Sequence, residues 1–403
     1  MSRPGAPNFP STYSDWWADR AARHFHLKDP KAAVRRLAQA AGDLSDRFTI
    51  HRDLGFASLY EKPEPLLAYG NYFLPQTYVR SALILWELLF LHQWTPPDPC
   101  HFLDLGSGSG GASRAAIDLI PSIATATLVD QSEPALALAQ EFLAAAPHPP
   151  LNILHADLVN FIPPRKDYGL IIASFSLSEL PDSTTVTTLC HRLHDLGEHL
   201  HPSGLMVIIE PALAITTETL HAARVKLINL GSWIKVWAPC LHRGLGCPLL
   251  AEGRFFCHEV RPWKVPPHVQ RINATLHRSV WDLKFSFLVF GRTAPIRPVY
   301  DESLFRLVSP ISKETGKYRF RGCTASGTLA EYDLLRRSLT PLQRRELERL
   351  HRGRLFRLSN LLPLKTPHHY RVGSPEELLT PEVETSVVQP PQDSYPQPPP
   401  FDF

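Results

Sequence analysis

Alternation between strand and helix patterns constrains the fold of this chain more than any other feature. Five short apolar runs are separated by helical stretches, and they cover residues 101–105, 126–129, 152–155, 169–173 and 205–209. Strands that alternate with helices are typical of a mostly parallel sheet with helices on both faces. We therefore predict a doubly wound, Rossmann-like α/β core. Further along, the patterns predict strands at 281–290, 304–308 and 317–320 and a basic helix at 342–357.

A glycine-rich loop follows the first predicted strand. Residues 104–111 read Asp-Leu-Gly-Ser-Gly-Ser-Gly-Gly and lead directly into a helical stretch. Glycines let the backbone turn tightly and approach a ligand where a Cβ atom would clash. An acidic residue about 20 residues further on can bind the ribose of a nucleotide. The pattern predicts a cofactor site whose candidate residues are Asp104, Gly106, Ser107, Gly108, Gly110, Asp130 and Asp157.

The three acidic candidates have different expected roles. Asp130 ends the second predicted strand and is expected to bind ribose hydroxyls, whereas Asp157 follows the third and is expected to face an adenine amine. Asp104 is expected to orient the amino-acid part of a ligand. The loop has no Walker lysine, which disfavours ATP. Alternatively, the glycines serve only the turn and Asp130 caps a helix.

Across residues 101–211 this arrangement resembles class I S-adenosylmethionine-dependent methyltransferases, which implies S-adenosylmethionine as the cofactor. The sequence does not assign a catalytic residue. The fourth predicted strand leads into Ser-Phe-Ser-Leu-Ser-Glu-Leu at 174–180, without an Asn/Asp-Pro-Pro-aromatic motif or a Pro-Cys nucleophile. Glu179 is the one ionisable candidate in this segment, and a polar residue at a helix start would look the same. Cofactor binding is therefore better supported than methyl transfer.

Four of the six cysteines lie in the second half of the chain, namely Cys240, Cys247, Cys257 and Cys323. Thiolates are soft ligands that favour zinc or iron–sulfur clusters. The spacing is not the paired pattern of a zinc ribbon, so it leaves the metal open between zinc and a cluster. His242 and His258 are alternative donors. Cys100 and Cys190 are expected to be ordinary buried residues.

Positive charge is concentrated in the same half of the chain. Residues 241–371 carry 24 Lys and Arg against 10 Asp and Glu, a net charge of +14. Residues 1–240 carry −5 and residues 372–403 carry −6. A basic block of this size is typical of a protein that binds the phosphate backbone of RNA, although a solvated basic face has the same composition.

These patterns predict a helical cap at 1–80, a methyltransferase-like core at 81–237, a basic module at 238–371 and a disordered Pro-rich tail at 372–403. No run approaches the ~20 apolar residues that cross a bilayer, so no membrane partner is expected. We also expect a monomer. The sequence begins without an apolar signal segment, and Asp15 and Asp19 interrupt its arginines. These features predict a cytoplasmic location, with the mitochondrial matrix as the alternative.

The four cysteines belong to an ordered series of short motifs. They are Ala-Pro-Cys-Leu-His at 238–242, Cys-Pro-Leu at 247–249, Phe-Cys-His at 256–258, Trp-Asp-Leu-Lys-Phe-Ser-Phe-Leu at 281–288, Gly-Lys at 316–317 and Cys-Thr at 323–324. With the glycine loop and Ser-Glu-Leu at 178–180, they resemble the methyltransferase-like small-ribosomal-subunit assembly factors of bacteria and mitochondria over residues 40–360. The resemblance implies that Cys240, Cys247, Cys257 and Cys323 hold a 4Fe–4S cluster. It also implies binding to small-subunit rRNA and proteins during ribosome maturation.

Three positions depart from this family's usual pattern. Leu241 stands where the family commonly has proline, Phe256 where it usually has tryptophan, and Ala212 where a glycine tends to follow the fifth strand. None of these changes removes a thiol. The sequence thus favours an rRNA-binding assembly factor that binds S-adenosylmethionine. The alternatives are an active rRNA methyltransferase and a zinc-stabilised RNA-binding protein with a vestigial cofactor pocket.

Overall fold

The computed structural model describes residues 7–49, 62–180, 185–229, 234–242, 246–278, 280–295 and 303–378. Its main sheet has eight strands. They are β1 (Cys100–Leu105), β2 (Ile123–Asp130), β3 (Leu151–His155), β4 (Tyr168–Ser174), β5 (Leu200–Pro211), β6 (Lys235–Ala238), β7 (Glu259–Pro262) and β8 (Asp282–Gly291). The strand order is β3-β2-β1-β4-β5-β8-β6, with β7 also paired to β8. Strands β1 to β5 are parallel, and β8 runs antiparallel to its neighbours. The predicted doubly wound α/β fold is confirmed.

Helices cover both faces of this sheet because successive strand residues point to opposite sides. In β4, Leu170 and Ile172 belong to one apolar core, whereas Ile171 and Ala173 belong to the other. Each buried Leu or Ile contributes roughly 1.5–3 kcal/mol. The covering helices that follow the strands are α6 (Gly111–Leu119), α7 (Glu133–Leu143), α8 (Val186–Gly197) and α9 (Ala214–Asn229). This packing fixes the strand ends and brings the loops that follow them to one edge of the sheet.

Five helices precede the sheet. They are α1 (Ser11–His24), α2 (Pro30–Arg36), α3 (Ala38–Thr49), α4 (Pro63–Tyr72) and α5 (Leu74–Trp86), and a π-helical turn at Glu87–Leu91 continues α5. Trp17 of α1 is fully buried against α4. A Cβ atom at Gly70 would lie 2.0 Å from the Trp17 ring, so only glycine allows this approach. Helix α5 spans the boundary predicted at residue 80 and joins the helical region to the sheet.

A second sheet of seven strands follows. Its strands are β9 (Leu304–Leu307), β10 (Ser312–Glu314), β11 (Lys317–Thr324), β12 (Leu329–Leu335), β13 (Leu355–Arg357), β14 (Leu361–Pro363) and β15 (His369–Val372). The order is β13-β9-β11-β12-β15-β14, with β10 on β11. Stacked rings form its core, with the Phe305 and Tyr332 centroids 4.5 Å apart. The remaining helices are α10 (Pro248–Ala251), α11 (Pro267–Thr275) and α12 (Pro341–Leu347).

Three sequence expectations differ from the structure. The boundary predicted at residue 237 does not separate the sheets, because β7 and β8 belong to the first one. The predicted helix at 342–357 is wrong. Helix α12 ends at Leu347, Gly353 turns the chain with φ +95°, and 355–357 is strand β13.

The predicted disordered tail begins too early. Val372 ends β15, and Leu378 is buried against the second sheet. The rest of that prediction, at 379–403, lies outside the described residues. Within the described ranges, no helix combines the length and apolarity needed to span a membrane.

Candidate functional site

A cavity of about 560 Å³ opens at the carboxyl edge of the parallel strands. Ligands of doubly wound sheets bind at this edge. The cavity is lined by the glycine loop, the ends of β2 and β4, the segment after β5 and helices α4 and α5. We call it the larger cavity, to distinguish it from a smaller one at the cysteines. Four of the sequence candidates line it, namely Gly106, Gly108, Asp130 and Asp157.

The glycine loop needs its glycines for two physical reasons. Gly106 and Gly108 have φ of +72° and +49°, a region that side chains disfavour. A Cβ atom on Gly106 would also lie 2.3 Å from the Cβ of Ser176. The N–H groups of Gly108 and Ser132 each donate to a different oxygen of Asp130, at 2.8 Å. Burial raises the pKa of Asp130, although these donors act in the opposite direction.

Three predicted binding residues do not line the larger cavity. Asp104 is fully buried beneath the loop and accepts a 2.6 Å hydrogen bond from the Ser113 hydroxyl, and burial raises its pKa to about 7. Gly110 caps α6 with φ +86° and packs against Ala139. The Ser107 N–H donates to the Val129 carbonyl. Asp104 thus contacts α6 through one carboxylate oxygen, whereas its other oxygen is buried without a hydrogen-bond partner among the described residues, and its expected role toward a ligand stays a prediction.

Two cationic residues of the wall were missed from the sequence. Arg80 of α5 lies over the Phe175 ring, 4.9 Å from its centroid, and Lys284 comes from β8. Lys284 lies within the motif at 281–288, which gave this lysine no role, and no local motif marks Arg80, because both residues reach the cavity through packing between distant elements. Glu179 also lines the cavity, at the end of a 3-10 turn. Its position assigns it no chemical step.

The four candidate cysteines meet at a second, much smaller cavity of about 20 Å³. Cys240 follows β6, Cys247 precedes α10, Cys257 precedes β7 and Cys323 lies on β11. We call this group the cysteine site. A hydrogen bond between Cys247 and Cys257 lowers the pKa of Cys247 to about 6 and raises that of Cys257. Four soft donors that converge in this way fit a metal–thiolate centre.

Buried arginines surround the cysteine site. Arg224 of α9 is fully buried and lowers the pKa of both Cys247 and Cys323, although burial raises the pKa of Cys323 overall. Arg306 pairs in register with Cys323 across β9 and β11 and lines the same cavity. Positive side chains favour thiolates over thiols, so the surroundings fit an anionic metal–thiolate group. Cys100 and Cys190 are buried in the apolar cores, as predicted.

A histidine outside the predicted set belongs to this region. One ring nitrogen of His221 and the sulfurs of Cys247 and Cys257 lie within 4.8 Å of one another. His221 is 3% exposed, and burial lowers its pKa to about 3. Of the predicted donors, His242 lines the cavity, whereas His258 instead contacts the Phe256 carbonyl and Arg352. His221 was missed because α9 brings it in from the methyltransferase-like core.

An ion-pair network joins the two sheets beside the cysteine site. Arg306 contacts Glu87 of the π-helical turn and lies 3.3 Å from Glu259 of β7, and its Nε donates to the Pro239 carbonyl at 2.9 Å. Arg261 pairs with both acids, at 3.2 and 2.8 Å. Although burial acts to raise it, the pKa of Glu87 is held well below its usual range by Arg306. Removing one member of such a network costs roughly 3–5 kcal/mol.

Two groups of basic residues in the second sheet and its loops differ in their partners. On β11, Lys317 and Arg319 pair with Asp333 at 2.6 and 2.9 Å. Around α12, three exposed arginines form no ion pair with any described residue, and we call them the basic surface: Arg337, Arg345 and Arg349. Lys365 and Arg371 are also exposed without an ion pair to a described residue, so the unneutralised positive charge of this sheet lies both around α12 and near β15.

Comparison with known proteins places these features in a family. The family model described as "Mitochondrial small ribosomal subunit Rsm22" matches residues 63–357. No curated protein sequence matches the chain. Among solved structures, a S-adenosylmethionine-dependent methyltransferase from Clostridium acetobutylicum is 21% identical, with 34% of this chain and 51% of that chain covered and a TM-score of 0.26. The chain thus spans about half the length of that protein.

Two further structures are similar. A SAM-dependent methyltransferase from Leishmania major is 14% identical, with 57% and 80% of the two chains covered and a TM-score of 0.35. The plantazolicin methyltransferase BpumL, solved with SAH, is 13% identical, with 70% and 98% covered and a TM-score of 0.33. The family match covers most of the chain and includes the glycine loop and all four cysteines of the cysteine site. This chain belongs to the mitochondrial small ribosomal subunit Rsm22 family.

Proposed function

We propose that this chain is an assembly factor that binds rRNA of the small ribosomal subunit, with S-adenosylmethionine in the larger cavity and a 4Fe–4S cluster in the cysteine site. The family description supports the ribosomal partner and favours the mitochondrial matrix, the alternative location, over the cytoplasm. One observation carries the proposal. The four cysteines, brought from separate segments, converge where the methyltransferase-like core meets the basic second sheet.

S-adenosylmethionine would occupy the cavity above the glycine loop. Asp130 would accept hydrogen bonds from the ribose hydroxyls, because each carboxylate oxygen keeps a lone pair beyond the one that its backbone donor uses. Gly106 and Gly108 would allow close approach of the cofactor, and Asp157 would face the adenine. Asp104 would act indirectly by holding the first turn of α6 through Ser113. When bound, the cofactor supplies an electrophilic methyl group.

The cluster would bridge three chain segments through Cys240, Cys247, Cys257 and Cys323. Ligation would join elements that are distant in the sequence, so binding of the metal group and local folding are coupled. Cys323 lies on β11 of the second sheet. The cluster would therefore orient the basic surface around α12 relative to the core, and this surface would contact RNA phosphates.

Anaerobic purification tests the metal site. The wild-type chain is expected to contain about four irons and sulfides per chain and to show the visible thiolate-to-iron charge-transfer band. Cys247→Ser should lose this band together with co-sedimentation with the small subunit, whereas the matched control Cys190→Ser should keep both. Unchanged metal content and unchanged subunit association in Cys247→Ser would refute the proposal.

A zinc site is the second candidate for the same residues. In a tetrahedral zinc site with zinc–sulfur bonds of ≈ 2.3 Å, two sulfur ligands lie about 3.8 Å apart. One ring nitrogen of His221 and the sulfurs of Cys247 and Cys257 lie within 4.8 Å of one another, so these three donors are close enough to share one ion after a small adjustment. One zinc and no sulfide per anaerobically purified chain would favour this candidate. An active rRNA methyltransferase is tested separately by transfer of labelled methyl groups to immature small subunits and its loss in Asp130→Ala.

A further inference from the structure

Arg80 is a cation in the wall of the larger cavity without an acidic partner in the described part of the chain. Its Nε is buried and has no hydrogen-bond partner there. One Nη donates to the Gln76 side chain at 3.2 Å, and the guanidinium lies over the Phe175 ring. The Arg80 guanidinium therefore lies at the edge of a cavity, and neither of these two neighbouring side chains carries a negative charge.

Two arginines that are more deeply buried than Arg80 have acidic partners. Arg114 pairs with Asp118 at 2.6 Å, and Arg306 pairs with Glu87 and Glu259. Arg80 is partly exposed but its Nε is buried; removing a charged group from water without a partner is costly, and stacking on an aromatic ring returns only about 0.5–2 kcal/mol. Burial lowers the pKa of Arg80 to about 10, so the guanidinium stays charged at neutral pH. The contrast with Arg114 and Arg306 indicates that Arg80 is arranged to receive an anion from outside the chain.

The position of Arg80 fits one end of the proposed cofactor. Thr77, one helical turn before Arg80, faces Gly111 at the start of α6, and its Cβ is 3.4 Å from where a Gly111 Cβ would lie. Phe175 follows the last residue of β4. Arg80 thus lies between the glycine loop and the end of β4. Asp130 is expected to bind the ribose, and as an anion it cannot neutralise the carboxylate of the cofactor's amino-acid part.

We propose that Arg80 binds the carboxylate of the amino-acid part of S-adenosylmethionine. A guanidinium presents parallel N–H donors that match the two oxygens of a carboxylate. The assignment rests on the proposed cofactor site and replaces the role that the sequence had suggested for Asp104. The same donors could instead take a backbone phosphate of RNA, and the two sources give different results below.

Ligand pairs test the assignment in the full chain. S-adenosylhomocysteine carries the carboxylate, whereas 5′-methylthioadenosine shares the nucleoside but lacks the amino-acid part. Arg80→Gln is expected to lower the affinity for S-adenosylhomocysteine about 10- to 100-fold, measured by calorimetry, because a charge-assisted hydrogen bond is removed. The affinity for methylthioadenosine should change less than about threefold. Arg80→Lys should be intermediate, which keeps the test informative if the glutamine variant does not fold.

Arg36→Gln is the matched control, because Arg36 also lies over an aromatic ring, 5.3 Å from the Phe25 centroid, but does not line the larger cavity. It should change the affinity for S-adenosylhomocysteine less than about threefold if Arg80 makes a direct contact. Equal losses in both variants, or equal losses for both ligands in Arg80→Gln, would overturn the assignment. So would unchanged S-adenosylhomocysteine binding with weaker binding of an rRNA fragment, which would place a phosphate at Arg80. A wild-type chain that binds neither nucleoside would instead refute the cofactor site itself.

Discussion

The larger cavity and the cysteine site differ in how their residues are brought together. The loop and acids of the larger cavity come from consecutive strands of one parallel sheet, and the backbone itself holds them in place. The cysteine site joins segments from both sheets, with His221 from α9 and Cys323 from β11. The first site depends on local backbone geometry. The second depends on packing between sheets and on the ion pairs beside it.

The largest effect is expected from a substitution in the ion-pair network beside the cysteine site. Glu87→Gln leaves Arg306 and Arg261 with an unbalanced buried charge, and we expect a loss of about 3–5 kcal/mol in the free energy of unfolding. Because Arg306 also holds the Pro239 carbonyl, the thiols of the cysteine site should react faster with a thiol reagent. Urea unfolding and thiol-labelling rates measure both effects.

Asp167→Asn is the control for this prediction. Asp167 pairs with Arg165 on the surface and is half exposed. An exposed pair of this kind contributes at most about 1 kcal/mol. If the two variants are equally stable, the network does not hold the sheets together.

The next effect concerns the larger cavity alone. Asp130→Ala removes the acceptor of the Gly108 and Ser132 N–H groups and the expected ribose ligand. We expect the affinity for S-adenosylhomocysteine to fall about 10- to 100-fold, since hydrogen bonds to a charged group are worth ≈ 1.5–3 kcal/mol. Metal content and thiol labelling should not change. A parallel loss of metal would show that the two sites are not independent.

The difference between the two sites also explains what the sequence could predict. Strands β1 to β5 and the lining residues Gly106, Gly108 and Asp130 follow from local patterns, because strand alternation and turn glycines act over a few residues. The pairing of β7 and β8 with the first sheet is a non-local event, so the predicted boundary at 237 missed it.

Non-local packing limited the remaining predictions as well. The helix predicted from 342 ends at Leu347, which is fully buried, and the chain then packs Leu350 against the same core outside the helix before it turns at Gly353. Arg80 and His221 are single residues whose importance depends on what packs against them. The four cysteines were recognised through the ordered motifs around them, and spacing alone had left the metal open.

A smaller effect is expected at the basic surface. Replacing Arg337, Arg345 and Arg349 by glutamine should reduce the slope of log K against log[salt] for an rRNA fragment, by about 0.7 to 0.9 for each phosphate that the variant no longer neutralises. The matched control changes three exposed basic residues of the helical region, Arg23, Lys31 and Arg35, to glutamine. Equal slopes for the two triple variants would place the RNA-binding surface elsewhere.

The smallest expected effect is a pH dependence in the second sheet. Burial acts to raise the pKa of Asp333, but hydrogen bonds from Arg319 and Lys317 outweigh it and lower the pKa to about 2. The stabilisation is therefore complete above the ordinary carboxyl pKa and is lost as the pH falls towards about 2. Between pH 5 and pH 3, Asp333→Asn should lose less stability than the wild type in urea unfolding. A variant that follows the wild-type pH profile would contradict this origin of the stability.

The independence of the two sites, and the link between the cysteine site and RNA, can be tested in one anaerobic preparation of Cys323→Ser. We predict that this variant loses the metal group and its association with the small ribosomal subunit, while its affinity for S-adenosylhomocysteine stays within about threefold of wild type. Retained metal and retained subunit association, or loss of cofactor binding together with the metal, would contradict this prediction.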